Sequence, residues 1–260
     1  MSKLALITGA SSGIGAAIAR LHARKGGDVI LVARREAELQ TLKKELEQKH
    51  KVKAHVFARD LSGKDAALAL FEEVQAAGLE VDYLINSAGF GGQGAHIERD
   101  LDKEIAMIDL NIEALMALCH AFGRDMADRG YGKILNLGSS AGFMPGPNQA
   151  VYFATKAFVN SYSQALDQEL REKGVTVTVL APGYVETEFA KRADLEGTQL
   201  VEQSADTAEN VARIGYEAMR AGELVTVNKS GIGIALRFIQ PFMPRRAVLK
   251  LAQKMQAKAA

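Results

Sequence analysis

The sequence predicts an α/β protein with one doubly wound parallel sheet of about seven strands, helices on both faces, in a single domain. Three observations carry this. Short apolar runs alternate with helix-period segments from Leu4 to Val227, without a linker or a low-complexity break. Gly9, Arg34, Asp60, Asn86, Ser139 and Pro182 all fall at the carboxyl ends of those runs, the edge on which open α/β sheets bind ligands. The 260 residues, 48% hydrophobic and 24% charged, suffice for one large buried core.

Composition narrows the function classes. A net charge of +1 gives no electrostatic footing for nucleic acid or for an anionic membrane. The single cysteine, Cys119, excludes an internal disulfide framework and fits a reducing compartment, so a cytoplasmic protein is expected. It sits in an apolar helical run, where packing is expected rather than reactivity. The N-terminus enters a strand at once, so no signal peptide is expected. No window of about twenty residues reads as apolar enough to span a bilayer. The histidines lack ligand spacing, and no metal site is expected.

Taken in order, Leu4–Thr8 reads as a buried strand, followed by Gly9-Ala10-Ser11-Ser12-Gly13-Ile14-Gly15 and a helix with Ile14, Ile18 and Leu21 on one face. Strand, Gly-rich turn and helix N-terminus together make a pyrophosphate site: glycines allow close backbone approach, and the helix start offers free N–H groups. The second strand, Asp28–Ala33, ends at Arg34 and Arg35, where a dinucleotide fold that binds NAD carries a carboxylate for the ribose 2′-hydroxyl. Arginine there can pair with a 2′-phosphate, so NADP(H) is expected over NAD(H). An amphipathic helix (Glu36–His50) leads to a third strand, Val52–Ala58, ending at Asp60 and Leu61. Asp60 reads equally as an acceptor for the adenine amino group or as a cap for the next helix. The fourth strand, Val81–Ile85, closes in Asn86-Ser87-Ala88-Gly89, and Phe90–Gly94 continues as a flexible rim.

Asp100–Arg129 reads as one long helix containing Asn111, either an exposed helix residue or a backbone distortion that holds a water. Lys133–Leu137 is the fifth strand, with Ser139 just past its end, and a helix from about Ala150 to Glu172 carries Tyr152 and Lys156. A spacing of four puts phenol and ammonium on one helix face. The cation favours the phenolate, so the phenol is expected to exchange a proton near neutrality. Ser139 adds a hydroxyl, and the three groups can protonate a carbonyl oxygen or deprotonate an alcohol. Val175–Leu180 is the sixth strand, ending in Ala181–Thr187. Phe189–Glu202 reads as charged and mobile, a helix follows from about Asp206, and Leu224–Val227 is the seventh strand. Residues 229–260 form a tail after the domain of residues 1–228. It carries Ile232, Ile234, Leu236, Phe238, Ile239, Phe242 and Met243 before a basic amphipathic helix. That helix is expected to pack on the domain or on a neighbouring subunit rather than on a membrane.

These residues resemble one family, the short-chain dehydrogenase/reductases in their compact branch, and the likeness runs from Leu4 to about Val227. Thr8–Gly15 is similar to its cofactor turn and Asn86–Gly89 to its Asn-Asn-Ala-Gly signature, with Ser87 replacing the second Asn. Asn111, Ser139, Tyr152 and Lys156 match its catalytic tetrad. The spacing to Tyr152 selects Ser139 rather than Ser140. The resemblance implies a Rossmann-like fold, Tyr152 as general acid and base, and Lys156 lowering its pKa and binding the nicotinamide ribose. It further implies Ser139 holding the substrate oxygen, Asn111 anchoring a relay water, and Pro182, Gly183, Val185 and Thr187 holding the carboxamide. Cofactor contacts are expected from Gly9, Ser11, Ser12, Gly13, Ile14, Gly15, Arg34, Arg35, Asp60, Leu61, Asn86, Ala88 and Gly89 as well.

The function expected is NADP(H)-dependent interconversion of a carbonyl and a secondary alcohol. The alternatives are a 3-oxoacyl reductase acting on a carrier- or CoA-bound chain, and a catalytically silent NADP-binding regulatory protein. Phe90, Phe143, Met144, Tyr184 and Phe189 are the expected substrate lining, which favours a hydrophobic molecule. The family implies a homodimer or homotetramer.

Overall fold

The computed structural model describes residues 3–63, 65–202, 205–228 and 242–258. Its strands are β1 (Leu4–Thr8), β2 (Asp28–Ala33), β3 (Ala54–Ala58), β4 (Tyr83–Asn86), β5 (Gly132–Leu137), β6 (Val175–Leu180), β7 (Val185–Glu186), β8 (Asp206–Thr207) and β9 (Val225–Thr226). Between and after them lie helices α1 (Gly13–Arg24), α2 (Glu36–His50), α3 (Ala66–Ala76), α4 (Leu101–Ile108), α5 (Leu115–Arg129), α6 (Ala150–Leu170), α7 (Phe189–Arg192), α8 (Gln199–Glu202), α9 (Ala208–Ala221) and α10 (Arg245–Gln256).

Ala5, Leu6 and Ile7 are wholly buried, as a central parallel strand covered on both faces requires. The main sheet is parallel throughout, in the order β3-β2-β1-β4-β5-β6-β9. The chain winds outward from β1 to β3, returns to the middle at β4 and winds out the other way. A crevice therefore opens between the carboxyl ends of β1 and β4. Thr8, 1% exposed, spans it: its Oγ1 accepts hydrogen bonds from the backbone N–H groups of Ser87 and Ala88, each at 3.0 Å.

Each face of the sheet has its own apolar layer. Ile18, Leu39, Leu46, Val211 and Met219 pack on one, from α1, α2 and α9. Leu70, Leu118, Phe122 and Val159 pack on the other, from α3, α5 and α6, where the Phe71 and Phe122 rings meet edge to face at 4.9 Å. Cys119 lies in this second layer, fully buried, and burial pushes its thiol pKa up to about 12, which fits the packing role.

Four expectations need correction. The run from Asp100 is not one regular helix: Asp109–Ala114 is a π-helical turn between α4 and α5, with Asn111 inside it and 1% exposed. The segment Leu101–Arg129 is also long and apolar enough to cross a membrane by length and composition. Here part of its apolar surface faces inward, where Met107 and Phe122 are wholly buried, and part is exposed, at Leu101, Ile105, Ile108 and Met116. The charged stretch after Thr187 is built rather than loose, because Ala190, Ala193 and Leu195 form a small buried cluster under α7 and α8. Asp206 and Thr207 do not open a helix but pair with Val185 and Glu186 as a second, two-stranded sheet, after which the Thr207 side chain caps α9. Of the apolar tail residues, Ile232, Ile234, Leu236, Phe238 and Ile239 lie outside the described residues, while Phe242 and Met243 are exposed.

Candidate active site

One cavity of about 320 Å³ runs along the carboxyl edge of the sheet from the Gly-rich turn to α10. At one end, Gly9 has φ +66°, and a β-carbon there would fall 2.9 Å from the Ala88 nitrogen. A β-carbon on Gly15 would fall 2.5 Å from the Gly9 oxygen, so the turn folds back on itself only with glycine at that position. The start of α1 has no side-chain cap and no acidic residue in its first turn. Its N–H groups are thus left for a ligand anion, and with the close-packed glycines they fit a dinucleotide pyrophosphate.

Arg35 stands over this turn. Its guanidinium donates to the Ser11 hydroxyl at 3.2 Å and to the Glu188 carboxylate at 3.1 Å, closing a span across the cavity mouth. Arg35 holds the Glu188 carboxyl below the usual carboxylate range. Arg34 is more exposed and pairs with Asp60 at 3.5 Å. Asp60 caps no helix: its Oδ1 accepts from the backbone N–H of Ser62 at 3.0 Å, and the cap position of α3 is Asp65. Both arginines, Asp60 and Leu61 line the cavity.

The proton-handling groups come from β5 and α6. Ser139, 9% exposed, follows β5 and is held by Asn160, whose amide donates to the Ser139 carbonyl at 3.0 Å. Lys156, 6% exposed, donates to the Leu137 carbonyl at 2.7 Å and lies 5.9 Å from the centre of the Tyr152 ring. Burial lowers its pKa to about 8. The Tyr152 phenol is pushed up to about 12 by burial, partly offset by a hydrogen bond with Ser139. Desolvation thus outweighs the ammonium in this cleft, and the expectation of a phenol already titrating near neutrality is not met.

Two expected contact residues stand behind the wall. Asn111 exchanges hydrogen bonds with the backbone of Phe90, accepting from its N–H at 3.1 Å and donating to its carbonyl at 2.9 Å, and also donates to the Thr155 hydroxyl at 3.1 Å. Asn86 does not reach the cavity; its amide donates to Asn136 at 2.9 Å between the strand ends. The remaining expected cofactor residues, Ser12, Gly13, Ile14, Ala88, Gly89, Pro182, Gly183, Val185 and Thr187, all line the cavity.

At the other end Phe90, Met144, Tyr184 and Phe189 form the apolar wall, and Phe189 leans on Tyr152 at 5.4 Å between ring centres. Phe143 does not line it: the 3₁₀ turn Ser140–Phe143 brings Met144 to the wall instead. The Phe90–Gly94 rim is tied down rather than flexible, since Gly94 bonds Asn148 at 2.8 Å and the Gln93 carbonyl accepts from Arg99 at 2.6 Å. Sequence reasoning missed Gln149, Phe153 and Leu195, and from α10 Ala252, Met255 and Gln256. The spacing of Val248, Ala252 and Gln256 marks one helix face, but nothing in it says which surface that face meets.

A family profile described as short chain dehydrogenase matches residues 3–196. The chain belongs to the short-chain dehydrogenases. Sulfoacetaldehyde reductase 2 of Chromohalobacter salexigens is 41% identical over 192 residues, 73% of this chain and 75% of that one. The very-long-chain 3-oxoacyl-CoA reductase of Homo sapiens is 33% identical over 197 residues, 74% of this chain and 62% of that enzyme. A short-chain dehydrogenase from Sphingobium yanoikuyae, solved in complex with NADPH, matches with a TM-score of 0.84 at 30% identity and covers 99% of this chain and 98% of that one.

Lys156 gives this site a stability signature. Its pKa is about 8 folded against an ordinary value of 10.5, so between these values the unfolded chain binds more protons and stability rises with pH. From pH 8 to 10.5 the wild type should gain on the order of 3 kcal/mol over Lys156→Met, read from urea unfolding of both at each pH. Parallel pH curves would show that the ammonium is not desolvated.

Proposed function

We propose that this short-chain dehydrogenase interconverts a carbonyl and a secondary alcohol on a hydrophobic substrate, with NADP(H), in the cytoplasm. The observation that carries the reading is the convergence of Ser139, Tyr152 and Lys156 between a phosphate-binding turn and an apolar wall in one cavity. The bound cofactor supplies or accepts the hydride. Tyr152, with its pKa pushed up to about 12, stays protonated at neutral pH and donates to the carbonyl oxygen in reduction. Ser139 donates to the same oxygen as negative charge gathers there. Lys156 restores the Tyr152 proton and holds the nicotinamide ribose, and Asn111 anchors a water on the way from Lys156 to solvent.

Preference for NADP(H) is supported by Arg35 standing over Ser11 with no carboxylate at the end of β2, and by the NADPH held in the Sphingobium relative. A 3-oxoacyl thioester is the second reading, favoured by the likeness to the human 3-oxoacyl-CoA reductase. A silent regulatory protein is disfavoured, because mere binding gives no reason for Ser139, Tyr152 and Lys156 to meet. Leu101, Ile105, Ile108 and Met116 form an exposed apolar strip on α4 and α5, which supports self-association as a homodimer or homotetramer.

Tyr152→Phe should lower kcat for ketone reduction by about 10²–10⁴-fold while NADPH affinity, measured by fluorescence titration, stays within about twofold. Retained turnover would remove Tyr152 from the acid role. Arg35→Ala should weaken NADPH by about 10- to 100-fold and leave NADH nearly unchanged. If the wild type binds NADH more tightly, the cofactor assignment is wrong. Ile105→Glu should reduce the light-scattering mass of the oligomer, and an unchanged mass would place the interface elsewhere.

A further inference from the structure

The net charge of +1 conceals a division along the chain. Seven Lys and Arg and not one Asp or Glu follow Glu223. The residues up to Glu223 therefore hold 25 basic against 31 acidic groups, a net of −6, while the remainder holds +7. Five of the seven cations lie on or beside α10, and helix geometry sorts them. Val248, Ala252 and Gln256, four apart, form the buried stripe that packs on the domain. Arg246, Lys250 and Lys254, also four apart, form a second stripe two residues out of step, about 200° round the helix, and all three are exposed. Arg245 is exposed as well. None of these four forms an ion pair with a side chain that the structure describes, whereas Lys258 pairs with Asp194 at 2.7 Å.

Exposed apolar side chains accompany this basic face. Phe242 and Met243, just before α10, reach solvent, Phe242 at 87%, and Leu251 within the helix is 54% exposed. Cations along one helix face with apolar groups beside them suit the boundary of an anionic bilayer, where phosphates meet the charges and the apolar groups sink below them. A second protein chain is the poorer match. Protein interfaces are depleted in lysine, and the strip at Leu101, Ile105, Ile108 and Met116 already offers a face for self-association. A nucleic acid would neutralise the cations but leave Phe242 and Leu251 in water.

We propose that α10 docks this chain on an anionic lipid surface through Arg246, Lys250 and Lys254, with Phe242, Met243 and Leu251 entering the headgroup boundary. One face of the helix packs on the domain, as expected from the sequence, and the lipid takes the other. Ala252 and Met255 line the cavity from the inner side of α10. Docking therefore sets the apolar end of the cavity one helix diameter, about 10 Å, from the lipid, where a substrate that partitions into a bilayer is most concentrated. The docking goes beyond the carbonyl–alcohol reading and does not rest on it.

The test is flotation of the full-length protein with two kinds of vesicle, pure phosphatidylcholine and the same lipid with about one third phosphatidylglycerol. The protein should float with the anionic vesicles at low salt, bind the neutral ones at least about tenfold more weakly, and be released as salt rises. R246Q/K250Q/K254Q should weaken anionic-vesicle binding by about 100-fold, from about fivefold per cation. F242S/L251S should weaken it by about tenfold at unchanged charge. Circular dichroism melts confirm that both variants fold. No flotation of the wild type, or equal flotation with both vesicles, would overturn the proposal without recourse to any variant. So would full binding by the folded charge variant, or binding unmoved by F242S/L251S, which would reduce the face to a plain anion site. A fall in the light-scattering mass of the charge variant without lipid would assign the face to a second copy of this chain instead. Turnover is read nowhere in the test, so failure of the carbonyl–alcohol reading leaves its result intact.

Discussion

The arrangement of the site depends on how β1 and β4 are held apart and yet joined. The two strands are paired up to Ile7 and Ile85, but the chain leaves them in opposite directions, from β1 toward β2 and from β4 toward β5. Thr8 bridges the gap by accepting two backbone N–H groups that the end of β4 would otherwise leave unpaired in the interior. With that bridge in place the Gly9 turn lies directly against Ala88, too close for any side chain at position 9. The phosphate end of the cavity and the sheet topology are therefore one constraint seen at two scales. Everything farther along the edge, from Ser139 to Pro182, is positioned by strands in register with those two.

The proton-handling end follows a different balance. Burying Tyr152 and Lys156 together raises one pKa and lowers the other, so both move toward their neutral forms. The fold supplies the counterweight through fixed dipoles: the Leu137 carbonyl on the ammonium and the Ser139 hydroxyl on the phenol. The π-helical turn brings Asn111 to bear on both directions of the Phe90 backbone, which keeps the wall beside Lys156 rigid. A regular helix through that stretch would carry the side chain to another angle. The distortion is thus part of the site's support even though Asn111 does not reach the cavity.

The cofactor half was legible in the sequence because its signals are local. Glycine spacing, the end of a strand and a helix start all fall within about a dozen residues. The Tyr152–Lys156 pair was legible for the same reason, through helix periodicity. Asn86 and Phe143 were misplaced because a residue's position along the chain does not tell which way its side chain turns: Asn86 turns into the sheet, and a tight turn after Ser139 exchanges Phe143 for Met144. The activated phenol was misjudged because desolvation depends on everything packed around a group, not on its nearest charge. Gln149, Leu195 and the α10 residues were invisible because their meeting is purely tertiary.

Gln149 meets Gln256 across 107 residues and Gln93 meets it across 163, among the longest separations of any hydrogen bonds here. The phosphate turn, β4, β5 and α6 are all present well before α10 has been synthesised. A chain that folds from its N-terminus as it emerges can therefore build the dinucleotide end first and add the substrate wall last. In that order of assembly the last step is the docking of a helix, so formation of the phosphate turn and completion of the wall are separable events.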